Sequence, residues 1–298
     1  MLLPLYLAVV KKTKKERSHW VHPSKERYLN EYISRKYPNP PAGLKQFPVI
    51  ICMHGFGSSP YEWEEFAEVA QERGCLISNI FLGGHDTLEN FAESTWESWL
   101  TSLQEEYSRL VSIGYENISI SASSTGATLL IHALKMQLFA PSLPLRNIIM
   151  VDPLLDINKD LIHKLPYLHS FLFDQPVPTT FQEKGNWIPK RPMSSLVELL
   201  RLINRTKALL KTNFSIPKHI SITLYNSTND PIIKKNSAET IIESFYKNYQ
   251  KKIDHVQIDS SLHVFSRLKG RHNIEIKDLK NQKLFFDTVL EKIKPNSK

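Results

Sequence analysis

Short apolar runs suited to strands alternate along this chain with stretches whose apolar residues recur at helical spacing. Strands are expected over Phe47–Met53 and Leu76–Leu82, from Ile118 to a turn at Ser123-Ser124, and over Leu145–Val151, His219–Asn226 and Lys252–Asp259. Between them the spacing predicts helices over Pro23–Tyr37, Pro60–Arg73, Ser94–Ile113, Ala127–Leu138, Ser194–Lys211, Ser237–Tyr249 and about Asn281–Ile293. In the second of these, Trp63, Phe66, Ala67 and Ala70 share one face and Gly74 supplies the stop. Such alternation points to an α/β fold, a mostly parallel central sheet with helices on both faces. It fails between Asp152-Pro153 and about Pro217. There Pro166, Pro176, Pro178, Pro189 and Pro192 punctuate pieces carrying Tyr167, Phe171, Phe173, Phe181 and Trp187. Residues 1–46 are therefore read as a basic extension with a helix, 47–153 and 218–298 as the core, and 154–217 as an insertion.

One strand-to-helix junction carries candidate chemistry. Isoleucine alternates with serine from Ile118 to Ser121, and Ala122-Ser123-Ser124-Thr125-Gly126 runs straight into the next helix. A serine at so sharp a turn is strained, and the residues two before and two after it must be small for strand and helix to pass. Ser124 meets this condition, with Ala122 and Gly126 in those places. Ser123 would set Ser121 and the branched Thr125 there, and Ser121 would set Ser119 and Ser123. A serine-rich buried strand ending in a helix cap is the plainer explanation, so partners are needed elsewhere in the chain. Upstream, an apolar strand runs into His54-Gly55-Phe56-Gly57-Ser58-Ser59-Pro60. Downstream lie Asn229-Asp230-Pro231 and Ser261-Leu262-His263-Val264, so serine, acid and histidine follow in that order.

In these motifs, with the Gly84-His85 turn, the chain resembles the α/β-hydrolase superfamily, and within it the capped carboxylesterases and monoacylglycerol-lipase-like serine hydrolases. The resemblance runs from about Phe47 to about Ile293. Two positions depart from the pattern: Ala122 stands for the usual first glycine of the elbow, and Asp86 for the last glycine of the G-H-G turn. The resemblance implies an α/β-hydrolase fold in which 154–217 is a cap, or lid. It also implies Ser124 as nucleophile, His263 as base and Asp230 as acid, with the backbone amides of Phe56 and Thr125 as oxyanion hole. His54 takes a structural role on this reading. Asp152, at the end of the strand after the elbow helix, is the alternative acid, and His255 and His85 are the alternative bases. Trp96 falls where related esterases place an aromatic near the acyl site, although a core tryptophan explains it as well. Trp187 belongs to the aromatic segment Tyr167–Trp187, expected to line an apolar acyl pocket.

Composition narrows the setting. A chain of 298 residues, 41% hydrophobic, can bury a full core. No apolar run approaches the roughly 18 to 20 residues of a membrane-spanning helix. Met1–Val10 is apolar, but its basic cluster follows it where a signal peptide would have it precede. The two cysteines, Cys52 and Cys75, lie in or beside strands and read as buried small hydrophobes of a reducing compartment, which suggests a cytoplasmic protein. Of the formal charge of +8, most is N-terminal, with nine basic against three acidic residues from Lys11 to Lys36. That stretch suits either a solvated terminus or peripheral contact with an anionic membrane. The insertion is basic too, ten residues against five from Asp156 to Lys218. No nucleic-acid recognition motif accompanies the charge, and the eleven histidines show no metal-ligand spacing, so neither nucleic acid, metal nor cofactor is expected.

The chemistry expected is therefore hydrolysis of a small carboxylic ester or an acylglycerol through an acyl-enzyme. Lysophospholipase, thioesterase and serine-peptidase activity on the same scaffold are the rivals, because leaving-group preference lies in the cap. A non-catalytic binding protein built on the scaffold is the alternative from another class.

Overall fold

The computed structural model of the chain describes residues 20–139, 144–158 and 185–294. The apolar N-terminal decapeptide, the basic residues Lys11 to Arg17, and Tyr167, Phe171, Phe173 and Phe181 lie outside the described residues. Six strands, β1 (Val49–Met53), β2 (Leu76–Ile80), β3 (Ile118–Ser123), β4 (Leu145–Val151), β5 (Ser221–Ser227) and β6 (Asp254–Ile258), form one sheet in the order β2-β1-β3-β4-β5-β6. Every pairing is parallel. A parallel sheet is covered on both faces, which is why β1 is apolar at every position. Val49, Ile51 and Met53 pack into one core and Ile50 and Cys52 into the other.

Helices fill the two sides. On one lie α3 (Glu64–Glu72) and α9 (Ile276–Ile293), whose Phe66, Ala70, Phe285 and Val289 meet the Ile50 side of the sheet. On the other lie α5 (Thr101–Ile113), α6 (Ser124–Lys135), α7 (Met193–Leu209) and α8 (Ser237–Tyr249). The α5 helix ends where Gly114 takes a left-handed φ of 95°. Both cysteines are free and buried, and burial pushes both thiols up in pKa. No helix among the described residues is long and apolar enough to cross a membrane.

Several boundaries differ from those the spacing predicts. The helix expected over Ser94–Ile113 starts late. A short α4 (Leu88–Glu93), capped by Thr87, ends at Ser94 with ψ 150°, and a 3-10 turn at Ser98–Leu100 leads into α5. The reason is the Gly83-Gly84 turn, which nests in this gap: a Cβ on Gly83 would collide with the Ser98 carbonyl oxygen, and one on Gly84 would lie 2.7 Å from Ser94 Cβ. Gly83→Ala should therefore cost about 3 kcal/mol of stability, read as a lower urea midpoint. Pro23–Tyr37 is two helices, α1 (Lys25–Glu31) and α2 (Ile33–Lys36), broken at Tyr32 so that its hydroxyl can accept the Phe81 amide at 2.9 Å. Pro60–Trp63 forms a 3-10 turn before α3. The α9 helix starts at Ile276, five residues early, because Glu275 and Asp278 close a capping box there.

Asp86, the departure in the glycine turn, holds the N-terminal segment down. Its carboxylate pairs with Lys25 at 2.7 Å and its carbonyl accepts His22 N at 2.9 Å. Of the insertion, α7 is anchored on the core. Ser195 Oγ donates to Phe91 O at 2.8 Å, and Thr206 Oγ1 meets His132 Nε2 at 2.8 Å.

Candidate active site

The strand order reverses between β1, whose other neighbour is β2, and β3, and loops leaving such a reversal part to leave a crevice beyond the strand ends. Two expected site segments leave from there. Ser124, the first residue of α6, is held at φ 49° directly after β3. Gly126 is obligatory at this elbow, since a Cβ would come within 2.6 Å of His54 O and 2.9 Å of Met53 O. Ala122 causes no conflict where the usual glycine is missing: it is buried in register with Met53 of β1. Ser123 turns away from the crevice, its Oγ donating to Met53 O at 3.2 Å and to the Glu62 carboxylate, which leaves Ser124 as the serine facing the site.

From the far side of the sheet come the other two residues. Asp230 follows β5 and His263 follows β6. His263 Nε2 lies 2.9 Å from Ser124 Oγ, and its Nδ1 lies 2.7 Å from Asp230 Oδ2. The second Asp230 oxygen accepts the amides of Ile232 at 2.7 Å and Ile233 at 3.0 Å, so the carboxylate cannot swing away from the imidazole. The loop after β1 runs alongside, with a Cβ on Gly55 falling 3.2 Å from Ser124 Cβ. In that loop the Phe56 amide has no backbone acceptor among the described residues. Thr125 is the second residue of α6, where a helix leaves its amide without an intrahelical partner.

No protein-family model matches the sequence, and no curated protein does either. Solved structures do match. A metagenome-derived lipolytic enzyme of the LipS and LipT pair superposes with a TM-score of 0.61 at 17% identity, covering 83% of this chain and 94% of the other. A soluble variant of monoglyceride lipase from Saccharomyces cerevisiae gives 0.60 at 10% identity, over 86% and 88%. The monoacylglycerol lipase of Paleococcus ferrophilus gives 0.55 at 11%, over 83% and 95%. This chain has the α/β-hydrolase fold. At such identities the likeness speaks for the fold, and what the site does must be argued from its own residues.

Charge in the hydrolase-fold crevice is arranged around His263. Burial alone would lower the imidazole's pKa. The hydrogen bond and charge of Asp230, helped by the charges of Asp152 and Glu62, outweigh burial and hold it above its ordinary 6.5. Burial would likewise raise Asp230, but the bond from His263 and the amides of Ile232 and Ile233 hold it below the usual carboxylate range. Asp152, the alternative acid, does not touch the imidazole nitrogens. It is buried at φ 44°, accepts Ser227 N at 2.7 Å, Ser227 Oγ at 3.1 Å and Val264 N at 2.9 Å, and so fixes the backbone on either side of the site. Burial pushes its pKa up to about 6. Ligand atoms of Asp152, Asp230 and His263 lie within 4.8 Å of one another, but each is already engaged by an N–H or O–H of the protein, an arrangement of hydrogen bonds more than of a cation cage.

The other histidines have separate duties. His54 spans the ends of β1 and β2, accepting Leu82 N at Nε2 (3.1 Å) and meeting Gly55 O at Nδ1 (2.8 Å), and burial holds its pKa well below 6.5. His85 is buried against Phe91 and Trp99 with its pKa lowered to about 4, and His255 meets Asn226 on β5. Trp96 is buried against His132, ring centroids 4.7 Å apart, beneath α7. Trp187 is half-buried, edge-on to Tyr61 at 5.8 Å and under the Arg267 guanidinium at 4.6 Å, one residue before Ile188 bonds to the β1 loop. Sequence reasoning missed Glu62, a buried carboxylate that accepts Gly55 N at 3.1 Å and the Ser123 hydroxyl. A glutamate in the first turn of an amphipathic helix gives no signal of such a role.

Proposed function

We propose that the protein is a serine hydrolase of carboxylic esters, with small esters of short or medium acyl chains or monoacylglycerols as substrates. The observation that carries the reading is the continuous hydrogen-bonded chain from Ser124 through His263 to Asp230, at a serine held in a strained elbow. Ser124 Oγ attacks the acyl carbon while His263 Nε2 accepts its proton and then gives it to the leaving alcohol. Asp230 keeps the Nδ1 tautomer in place and stabilises the imidazolium. The amides of Phe56 and Thr125 receive the developing oxyanion, a contribution of about 3 to 4 kcal/mol per donor in comparable sites. Water, activated by the same histidine, releases the acid.

On this reading residues 154–217 act as a cap, with Trp187 as acyl-pocket wall and Trp96 supporting it from the core. A cytoplasmic place, with contact between the basic N-terminus and an anionic membrane, belongs to the same reading. Several structurally similar proteins are themselves described as lipolytic enzymes or monoacylglycerol lipases, which fits an ester substrate, while another is a thioesterase domain, so both leaving groups belong in the test. A substrate panel tests the proposal: p-nitrophenyl esters from acetyl to decanoyl, monoacylglycerols, lysophospholipids and acyl-CoA. Short to medium esters or acylglycerols should be turned over fastest, above acetyl. Turnover of acyl-CoA alone would move the reading to a thioesterase, and no turnover of any member would favour a binding role.

The electrostatics add a pH profile. Only neutral His263 can accept the serine proton, so kcat/KM should fall as pH drops through the histidine's raised pKa, with a limb above 6.5. Asp230→Asn removes both the hydrogen bond and the charge that raise it, and the limb should move to lower pH.

A further inference from the structure

The insertion returns to the core across the loop that follows β1. Ile188 N donates to Gly57 O at 3.0 Å. Three residues on, the Arg191 guanidinium lies over the Phe56 ring, 5.7 Å from its centroid, and a Cβ on Gly57 would lie 3.8 Å from Arg191 Nε. Among the described residues no carboxylate pairs with this cation. Its Nε is buried without a hydrogen-bond partner, and no ion pair is formed by it among the described residues. Burial lowers its pKa with nothing to offset it, yet an arginine stays charged in a protein. Ser58, next in the same loop, also has a buried hydroxyl without a partner. A cation–π contact with Phe56 accounts for the place of the guanidinium. It leaves a largely desolvated cation without an anionic partner, and because Nε is inaccessible while the residue as a whole is half-buried, the terminal N–H groups are where an anion would meet it.

We propose that Arg191 forms an anion subsite beside the β1 loop, selecting esters that carry a carboxylate or another oxyanion a few bonds from the scissile carbonyl. The proposal rests on the ester-hydrolase reading and narrows its substrate class. Phe56 links the two: its ring lies under the guanidinium and its amide is the proposed oxyanion donor. A planar guanidinium offers a carboxylate two parallel N–H groups, so recognition depends on direction as well as charge.

Two matched ester pairs locate the anion. 4-Nitrophenyl hydrogen glutarate against its methyl ester puts the charge on the acyl side, and butyryl glycolate against its methyl ester puts it on the alcohol side. The readout is the ratio of kcat/KM, anionic over neutral, within each enzyme, which cancels any general loss of active protein. The wild type should favour the anion in one pair, and Arg191→Met should lower that ratio by about 10- to 100-fold, the effect of a charged hydrogen bond. Arg191→Lys, which keeps the charge without the fork, should fall between. A second measurement does not depend on turnover: thermal shift of Ser124→Ala protein with methyl hydrogen glutarate or dimethyl glutarate, with and without Arg191→Met. Only the monoacid should stabilise, and only with Arg191 present. Hydrolysis with equal ratios in wild type and Arg191→Met would overturn the subsite while leaving the hydrolase standing. Arg191-dependent stabilisation by the monoacid without hydrolysis of any ester would uphold the subsite and overturn the hydrolase.

Discussion

Ser124→Ala should lower kcat for ester hydrolysis by about 10⁶-fold, the loss seen when the nucleophile of a serine triad is removed, with little change in Tm. The hydroxyl's polar partner is His263, and alanine meets the same φ of 49° as serine, so the fold loses little. Ser123→Ala is the informative contrast. Its hydroxyl lies behind the elbow on Met53 O and Glu62, so its loss should leave a buried carboxylate short of a donor and lower Tm by more than Ser124→Ala does. It should not abolish turnover. Kinetics and thermal melts of the two variants side by side check this, and retained activity in Ser124→Ala with loss in Ser123→Ala would shift the elbow by one residue.

Asp230→Asn should cost about 10⁴ in kcat, because an amide cannot hold the required tautomer or stabilise the imidazolium. Asp152→Asn should behave differently. The three bonds it accepts, from Ser227 N and Oγ and Val264 N, are structural, and an amide nitrogen turned toward one of those N–H groups leaves a buried clash of donors. A fall in Tm with a smaller loss of kcat is expected. The pH profile separates the two further, since removal of Asp230 shifts the low-pH limb more than removal of Asp152, the lesser contributor to His263. A 10⁴ loss confined to Asp152→Asn would move the acid there.

How much could be read without coordinates depended on which physical constraint each residue obeys. The elbow register was legible because close passage of strand and helix demands small residues at 122 and 126, and the structure shows the constraint as the short approach of Gly126 to His54 O. The resemblance pointed to Asp230, but topology alone could not separate it from Asp152, since both follow strands of one sheet; in the structure it is Asp230 that is bonded to His263. The late start of the helix expected from Ser94 was hidden by Trp96, Trp99 and Leu100, whose spacing suits a helix already under way. What delays it is a glycine turn ten residues upstream, a tertiary cause. Glu62 and Arg191 were invisible for a related reason: a lone charged residue in an amphipathic or basic stretch reads as surface. Nothing local says that one meets a buried amide and the other an aromatic ring.

The activated serine can be observed directly by treating the protein with a fluorophosphonate and measuring intact mass and modified peptides. One adduct per chain is expected, on the peptide containing Ser124, absent in Ser124→Ala and formed far more slowly in His263→Ala. No adduct on the folded wild-type protein, or one that persists in Ser124→Ala, would contradict the assignment of Ser124, His263 and Asp230 as a hydrolytic triad.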